Sequence, residues 1–131
     1  ADTNAFNAYM EARRLPSKTA EEKRQKHEAE QAGLKQAVMV PLETAKQSLE
    51  ALKVAEVVVK YGNPNSITDV GVGALMAYNG VKGGVFNVLI NLGQIEDQDF
   101  VDEMKTTCAR LEEEAAELRD LIINKVEEKI R

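Results

Sequence analysis

Cysteine and histidine are almost absent from this sequence, which contains one of each in 131 residues. A single cysteine cannot close a disulfide within the chain, so we expect a reducing compartment, the cytoplasm. One His and one Cys also cannot supply a zinc site built from those residue types, and we predict no metal site.

Long apolar runs and an excess of positive charge are also missing. The two longest uncharged stretches, residues 70–81 and 83–95, each include three glycines, and both are shorter than the roughly 18 apolar residues of a membrane span. The net charge of −5 argues against a nucleic-acid-binding surface, which would need clustered Lys and Arg. The 44% hydrophobic and 30% charged residues are typical of one globular domain.

Helical periodicity runs through the whole chain, and no strand pattern competes with it. It predicts four helices, over about residues 2–14, 19–61, 66–92 and 97–130. Thr19 followed by Glu22 fits a capping box at the start of the second helix. Short connections between the helices predict an all-α helical bundle.

Two helical segments favour an oligomer. The second would span about 60 Å, so we expect either a bend at Pro41, which lacks an N–H, or an extension into a partner. Apolar residues in the fourth recur at three-to-four spacing from Val101 to Ile122, a heptad-like seam. Both features indicate a homodimer or a higher homo-oligomer.

One face of the third segment is built from small residues that lead to two amides. Its members are Gly73, Ala77, Gly80, Gly84, Asn87 and Asn91. Glycine costs a helix interior about 1 kcal/mol relative to Ala. We therefore expect another backbone or a flat ligand to approach this face closely.

Four stretches of the sequence, in order along the chain, resemble the formiminotransferase-cyclodeaminase family. Residues 62–69 are similar to its Gly-Asn-x-Asn-Ser-x-x-Asp signature, and residues 87–92 match its Asn-Val-Leu-Ile-Asn-Leu segment. Residues 2–16, and residues 19–23 together with 37–42, supply the other matches. The four cover nearly the whole chain, and they are specific in combination.

The resemblance implies a cyclodeaminase. Such an enzyme closes 5-formiminotetrahydrofolate to 5,10-methenyltetrahydrofolate with loss of ammonia, and it needs no cofactor besides its folate substrate. Family members carry a further N-terminal helical part with a Pro-Gly-Gly-Gly-Ser motif that is not found here. We therefore expect residues 1–131 to form a single cyclodeaminase-like domain that is N-terminally incomplete. A formiminotransferase domain or protein is a candidate partner.

This reaction requires a proton to leave N10 of the folate and another to reach the departing nitrogen. Asp2 is the first candidate for this catalytic role, because it matches an acidic family position. The alternative is that Asp2 stabilises a helix N-terminus. Asp69 is the second catalytic candidate, and its alternative role is a capping acid for Ser66.

Side-chain amides are the candidates for substrate binding. Asn87 and Asn91 can match the adjacent donors and acceptors of a pterin ring, although an interhelical hydrogen bond that fixes register is as good an explanation. Asn63, Asn65 and Ser66 are further substrate-binding candidates, and turn formation also accounts for them.

The remaining polar residues have simpler explanations. Arg13, Arg14 and Lys82 could bind the glutamate carboxylates of a folate, but solvated surface charge is the more ordinary role. His27 lies among polar residues and is expected to be exposed. Cys108 lies on the apolar seam and is expected to be a core residue.

Two other functions stay open at this point. The first is a methenyltetrahydrofolate cyclohydrolase of the same family, in which water replaces ammonia. The second is a non-enzymatic helical oligomerisation module, in which the small residues and amides form a helix-packing face.

Overall fold

The computed structural model describes the backbone from residue 2 to residue 131, and the side chains of residue 4 and of residues 6–131. It contains four helices: α1 (Asp2–Arg13), α2 (Ala20–Tyr61), α3 (Ile67–Asn91) and α4 (Gln98–Ile130). Short 3-10 turns at Pro64–Ser66 and Leu92–Gln94 flank α3. Over residues 2–131 there is no strand, so the predicted all-α bundle is confirmed. No described helix combines the length and the apolarity needed to cross a membrane.

Side-chain caps begin two of the helices. Thr19 Oγ1 accepts a hydrogen bond from the backbone N–H of Glu22 at 3.0 Å, as the capping box predicts. At the start of α4, Asp97 Oδ1 accepts from the N–H of Phe100 at 3.1 Å. Each cap satisfies an amide that the first turn of a helix leaves without a partner.

The start of α3 differs from the prediction. Ser66 makes no side-chain capping bond there, because its backbone (φ −103°, ψ 5°) is not in the extended conformation of a capping residue. The preceding 3-10 turn is closed by Asn63, whose Oδ1 accepts from the N–H of Asn65 at 2.9 Å. The predicted capping pair of Ser66 and Asp69 is therefore wrong.

α2 continues through Pro41 without interruption. A proline has no amide hydrogen, so the carbonyl of Ala37, four residues earlier, lacks the helical hydrogen bond that residue 41 would otherwise donate. The proline thus leaves a backbone acceptor on one side of the helix.

The core lies where α2, α3 and α4 pack together, and α1 packs against α2. Its largest fully buried side chains come from all three core helices: Val38, Leu42, Leu52, Val59, Val81, Val85, Val88, Cys108 and Ile122. The apolar seam of α4 is buried in this core. Because the seam is occupied within one chain, it does not support the predicted oligomer.

Two glycines of the third segment allow α3 to contact α2. A Cβ added to Gly84 would lie 2.7 Å from the carbonyl oxygen of Pro41 and 2.9 Å from Ala45 Cβ, and one added to Gly80 would contact Ser48. Neither faces a space that a ligand could enter, whereas Gly73 is open to solvent. The prediction that another backbone approaches this face is confirmed at Gly84. The alternative prediction, that a flat ligand contacts Gly80 and Gly84, is wrong.

Candidate functional site

The predicted site residues lie at opposite ends of α3. Asn63, Asn65, Ser66 and Asp69 are exposed around its first turn, and Asn87 and Asn91 are exposed near its last turn. Asp69 and Asn91 are 22 residues apart, which at about 1.5 Å per residue separates them by about 33 Å. Within one chain these two groups cannot contact the same small molecule.

The first catalytic candidate, Asp2, has its side chain outside the described residues. Its backbone begins α1, and Phe6 lies one turn further along that helix.

A pocket of about 200 Å³ opens at the C-terminal end of α3, between that helix, α1 and α2. Its lining combines apolar walls with a few polar groups: Phe6, Tyr9, Leu34, Ala37, Ile90, Asn91 and Gln94. The pocket lies at the Asn91 end of α3, far from Asp69.

The α1 wall of this pocket depends on a close approach to α2. A Cβ added to Gly33 would lie 2.9 Å from Tyr9 Cα, so glycine at this position lets α1 lie directly on α2. Arg13, one turn after Tyr9, has its guanidinium carbon 5.9 Å from the centre of the Tyr9 ring. Arg13 is one of the three cationic residues that the sequence offers for the carboxylates of a folate, and it lies beside a residue that lines the pocket.

Asn91 supplies an oriented amide to the pocket. Its Nδ2 donates a hydrogen bond to the backbone carbonyl of Asn87 at 2.7 Å, while its Oδ1 accepts none from the described residues. The carbonyl of Ala37, left without its helical donor by Pro41, belongs to another lining residue. Asn87 contributes its carbonyl to this arrangement, but its side chain does not line the pocket.

Gln94 is held in place by contacts between α2 and the segment that joins α3 to α4. Gln31 Nε2 donates to the carbonyl of Gln94 at 3.1 Å, and Gln31 Oε1 accepts from the N–H of Glu96 at 2.9 Å. Lys35 Nζ lies 2.6 Å from Asp97 Oδ2. This ion pair, together with the hydrogen bond from the Phe100 amide, lowers the pKa of Asp97. These three polar contacts therefore fix the segment that carries Gln94 to α2.

Other polar residues singled out in the sequence lie away from the pocket lining. His27 is exposed as expected, with Nε2 2.7 Å from Glu96 Oε2. Cys108 is buried as expected, and burial raises the pKa of its thiol. Lys82 forms a half-buried ion pair with Glu112 of α4, so its ammonium is already engaged.

Tyr9, Ala37 and Gln94 line the pocket but were not identified as site residues from the sequence. The sequence contained a signal for two of these residues. Tyr9 lies in the motif at residues 2–16, and Pro41 leaves the carbonyl of Ala37, four residues earlier, without its helical hydrogen-bond donor. Gln94 follows Asn91 by three residues. Among the described residues, no carboxylate lines the pocket.

Fold and pocket together define an all-α domain of the kind that places a small-molecule site between facing helices. The chain belongs to the formiminotransferase-cyclodeaminase family, whose model matches residues 1–110.

Three similar proteins illustrate this relationship. The chain is 38% identical over 129 residues to the formimidoyltransferase-cyclodeaminase of Gallus gallus, covering 98% of this chain and 24% of that protein. It is 36% identical to the methenyltetrahydrofolate cyclohydrolase of Methylorubrum extorquens, covering 98% and 62%. The crystal structure of formiminotetrahydrofolate cyclodeaminase from Thermotoga maritima has the same fold, with a TM-score of 0.83 at 23% identity, covering 99% and 61%. The chain therefore spans less than two thirds of each of these proteins.

Proposed function

We propose that this chain converts 5-formiminotetrahydrofolate to 5,10-methenyltetrahydrofolate and releases ammonia. The observation that carries this proposal is the convergence of three separate family motifs on one pocket. Phe6 and Tyr9 come from the motif at residues 2–16, Ala37 from that at 37–42, and Ile90 and Asn91 from that at 87–92.

The pocket suits the flat ring system of a folate. Phe6, Leu34 and Ile90 provide apolar surface, while Asn91 Oδ1 and the Ala37 carbonyl can accept hydrogen bonds from ring N–H groups. The volume of about 200 Å³ is smaller than the roughly 300 Å³ at which ligand pockets usually begin. The ring would therefore enter the pocket while the glutamate tail remains outside, with Arg13 as the candidate for its carboxylates.

The reaction needs orientation and one proton shuttle. N10 attacks the formimino carbon on N5, and holding these two atoms together can supply several kcal/mol. The formimino group reacts in its protonated form (–CH=NH2+): N10 loses its proton, the departing nitrogen gains one, and ammonia leaves as the methenyl C–N double bond of the cationic product forms. A single carboxylate can carry out both proton transfers in turn. Asp2, on the helix that also supplies Phe6 and Tyr9 to the pocket, is the proposed candidate for this group, whereas Asp69, the other sequence candidate, lies at the far end of α3 and cannot reach the pocket within one chain.

Supplying 5-formiminotetrahydrofolate and measuring methenyl absorbance and ammonia in the same sample tests this proposal. We expect both signals to rise together in a one-to-one ratio. If neither product forms with the pure protein, the proposed reaction is refuted.

Methenyltetrahydrofolate cyclohydrolase is the second candidate, because the Methylorubrum extorquens relative that carries this name is 36% identical. In this case 5,10-methenyltetrahydrofolate would lose its absorbance in the presence of the protein, and no ammonia would appear. The bifunctional relatives make a formiminotransferase domain or protein the proposed source of the formimino substrate.

A further inference from the structure

Gln31 is the residue through which α2 holds the backbone of the segment that joins α3 to α4. His27, Gln31 and Lys35 are four residues apart and therefore lie on one face of α2. The outer two contact side chains of that segment, since His27 reaches Glu96 and Lys35 reaches Asp97. Gln31 differs from both, because it contacts the backbone and not a side chain.

The side-chain amide of Gln31 is bonded at both of its ends. Nε2 donates to the carbonyl of Gln94 at 3.1 Å, and Oε1 accepts from the N–H of Glu96 at 2.9 Å. These two backbone groups flank Ile95, whose side chain is buried, and Gln31 is itself half-buried. Neither a carboxylate nor an ammonium group at this position could make both bonds, because only an amide combines a donor with an acceptor.

Gln94 is held by this contact at the edge of the pocket. It is the last residue of the 3-10 turn Leu92–Gln94, and the residues 92 and 95 beside that turn are buried. Its hydrogen bond with Gln31 uses the backbone carbonyl, which leaves the side-chain amide for a ligand. Asn91, three residues earlier, lines the same pocket. Two neighbouring amides of the chain therefore serve one pocket.

The pocket needs a hydrogen-bond donor for a pterin ring. Asn91 directs Nδ2 to the carbonyl of Asn87 and so presents chiefly its Oδ1, and the freed carbonyl of Ala37 is a second acceptor. Both can receive N–H groups of a pterin, but the C4 carbonyl of the ring also needs a donor when it leaves water. Besides Asn91, the described lining residues with a side-chain N–H or O–H are Tyr9 and Gln94.

We propose that Gln94 is a substrate-binding residue whose side-chain amide donates to the C4 carbonyl of the pterin ring, and that Gln31 is the positioning residue that holds Gln94 there. The C4 carbonyl is adjacent to the ring N3–H, so its donor belongs next to the acceptor Asn91, whereas Tyr9 lies on another helix. The assignment rests on the proposed function, because it takes a folate as the occupant of the pocket.

Calorimetric titration with tetrahydrofolate tests the assignment separately from turnover. Gln94→Ala and Gln31→Ala should each raise Kd about fivefold, the equivalent of one neutral hydrogen bond. His27→Ala is the matched control, because it removes a contact with the same segment one turn earlier on α2, and it should change Kd less than twofold. An unchanged Kd in Gln94→Ala overturns the assignment. A fivefold effect of Tyr9→Phe in its place would show that Tyr9 is the donor.

A double variant distinguishes positioning from a general loss of structure. If Gln31 acts through Gln94, changing both to Ala should raise Kd only about fivefold, as in either single variant. Independent effects would multiply to about 25-fold, and this result would overturn the positioning role. An equal loss in His27→Ala would overturn it as well.

Gln31→Glu is a second variant that keeps the size of the side chain. It can still accept from the Glu96 amide, but it places an oxygen against the carbonyl of Gln94, so it should weaken binding at least as much as Gln31→Ala. Circular dichroism shows whether each variant is folded. A folded Gln31→Glu variant that binds tetrahydrofolate as tightly as the natural chain would refute the positioning role.

Steady-state kinetics supplies a second readout. The C4 carbonyl is remote from the reacting N5 and N10 substituents, so its hydrogen bond should be equally strong in the ground state and the transition state. Gln94→Ala and Gln31→Ala should therefore raise KM and leave kcat nearly unchanged. A fall in kcat at constant KM would contradict the assignment.

The two assays separate this assignment from the proposed function. If the natural chain binds tetrahydrofolate and the variants show the expected Kd values, but no methenyl product forms, the proposed reaction is refuted and the binding role of Gln94 is supported. If product forms and Gln94→Ala binds normally, only the assignment of Gln94 is refuted. A natural chain that does not bind tetrahydrofolate would refute both.

Discussion

Asn91 is the residue whose orientation the structure explains most directly. Its Nδ2 is engaged by the carbonyl of Asn87, so its Oδ1 is held as an acceptor at the pocket. Asn87 is the same residue type one turn earlier, but its side chain lies outside the lining. Two amides that look equivalent in the sequence therefore differ in whether they line the pocket.

Replacing Asn91 by Ala should lower kcat/KM for the folate substrate about tenfold, because one to two neutral hydrogen bonds are lost at about 1 kcal/mol each. Asn87→Ala is the matched control, and it should change kcat/KM less than threefold. Steady-state kinetics of both variants, with circular dichroism for folding, makes the comparison. Equal losses in the two variants would contradict the assignment of Asn91 to the pocket.

The charge of Asp97 makes the stability of the folded chain depend on pH. Lys35 and the Phe100 amide lower the pKa of Asp97 in the folded chain. A depressed folded pKa means that the stabilisation is fully present above the unfolded value, near 3.9, and is lost as pH falls through the folded value. The Asp97 charge should therefore stabilise the protein at neutral pH and contribute nothing in strong acid.

We expect Asp97→Asn to lower Tm at pH 7, and the difference from the natural chain should shrink steadily below about pH 4. Asparagine can still accept the capping bond from Phe100, so the change isolates the charge. Asp99→Asn, two residues further on in the same helical turn, is the control and should show a smaller difference at pH 7. A difference that stays constant from pH 7 to pH 3 would exclude the ion pair as its cause.

At the scale of an element, the pairing of α2 with α3 depends on glycine. Gly84 faces the backbone of Pro41 and the side chain of Ala45 at distances that leave no space for a methyl group. Gly73 lies on the same helix and faces solvent. The same substitution at these two positions should therefore have opposite effects.

Gly84→Ala should lower the free energy of unfolding by about 1–3 kcal/mol, because the added methyl group overpacks the helix contact. Gly73→Ala should raise it by up to about 1 kcal/mol through helix propensity alone. Urea denaturation followed by circular dichroism measures both values. A stabilised Gly84→Ala variant would show that the two helices are not in close contact there.

At the scale of the whole molecule, α1 is a separate layer on a three-helix core. It packs on α2, and it supplies Phe6 and Tyr9 to the pocket. The core of α2, α3 and α4 has buried side chains from each of its helices. Binding and folding should therefore depend on different parts of the chain.

Deleting residues 1–15 should leave a helical protein that unfolds cooperatively at a lower temperature, because α1 no longer covers α2. Folate binding should be lost, since one wall of the pocket is removed. Calorimetric titration with tetrahydrofolate and a thermal melt on the same sample test both statements. Unchanged folate affinity in the shortened chain would show that the ligand binds elsewhere.

The helices themselves were predictable because they depend on local rules. Periodicity, the Thr19 cap and the glycines and prolines of the connections placed all four to within one residue at each end. The motif at residues 87–92 also contains Asn91, which lines the pocket. Ser66 was the exception, since its backbone conformation is decided by the preceding 3-10 turn and not by its residue type.

The sequence did not predict which helix face packs against which part of the molecule. The α4 seam and the stripe of α3 formed by Val72, Met76, Asn79, Gly83, Phe86 and Ile90 have the same heptad spacing in the sequence, yet the first is buried in the core and the second is exposed. Gly73 and Gly84 likewise lie on one stripe but face solvent and α2 respectively. The sequence alone determined which residues are helical and which side chains share a face, because these follow from the 3.6-residue period. Only the tertiary structure decided which face meets which, because that depends on contacts between residues far apart in the chain.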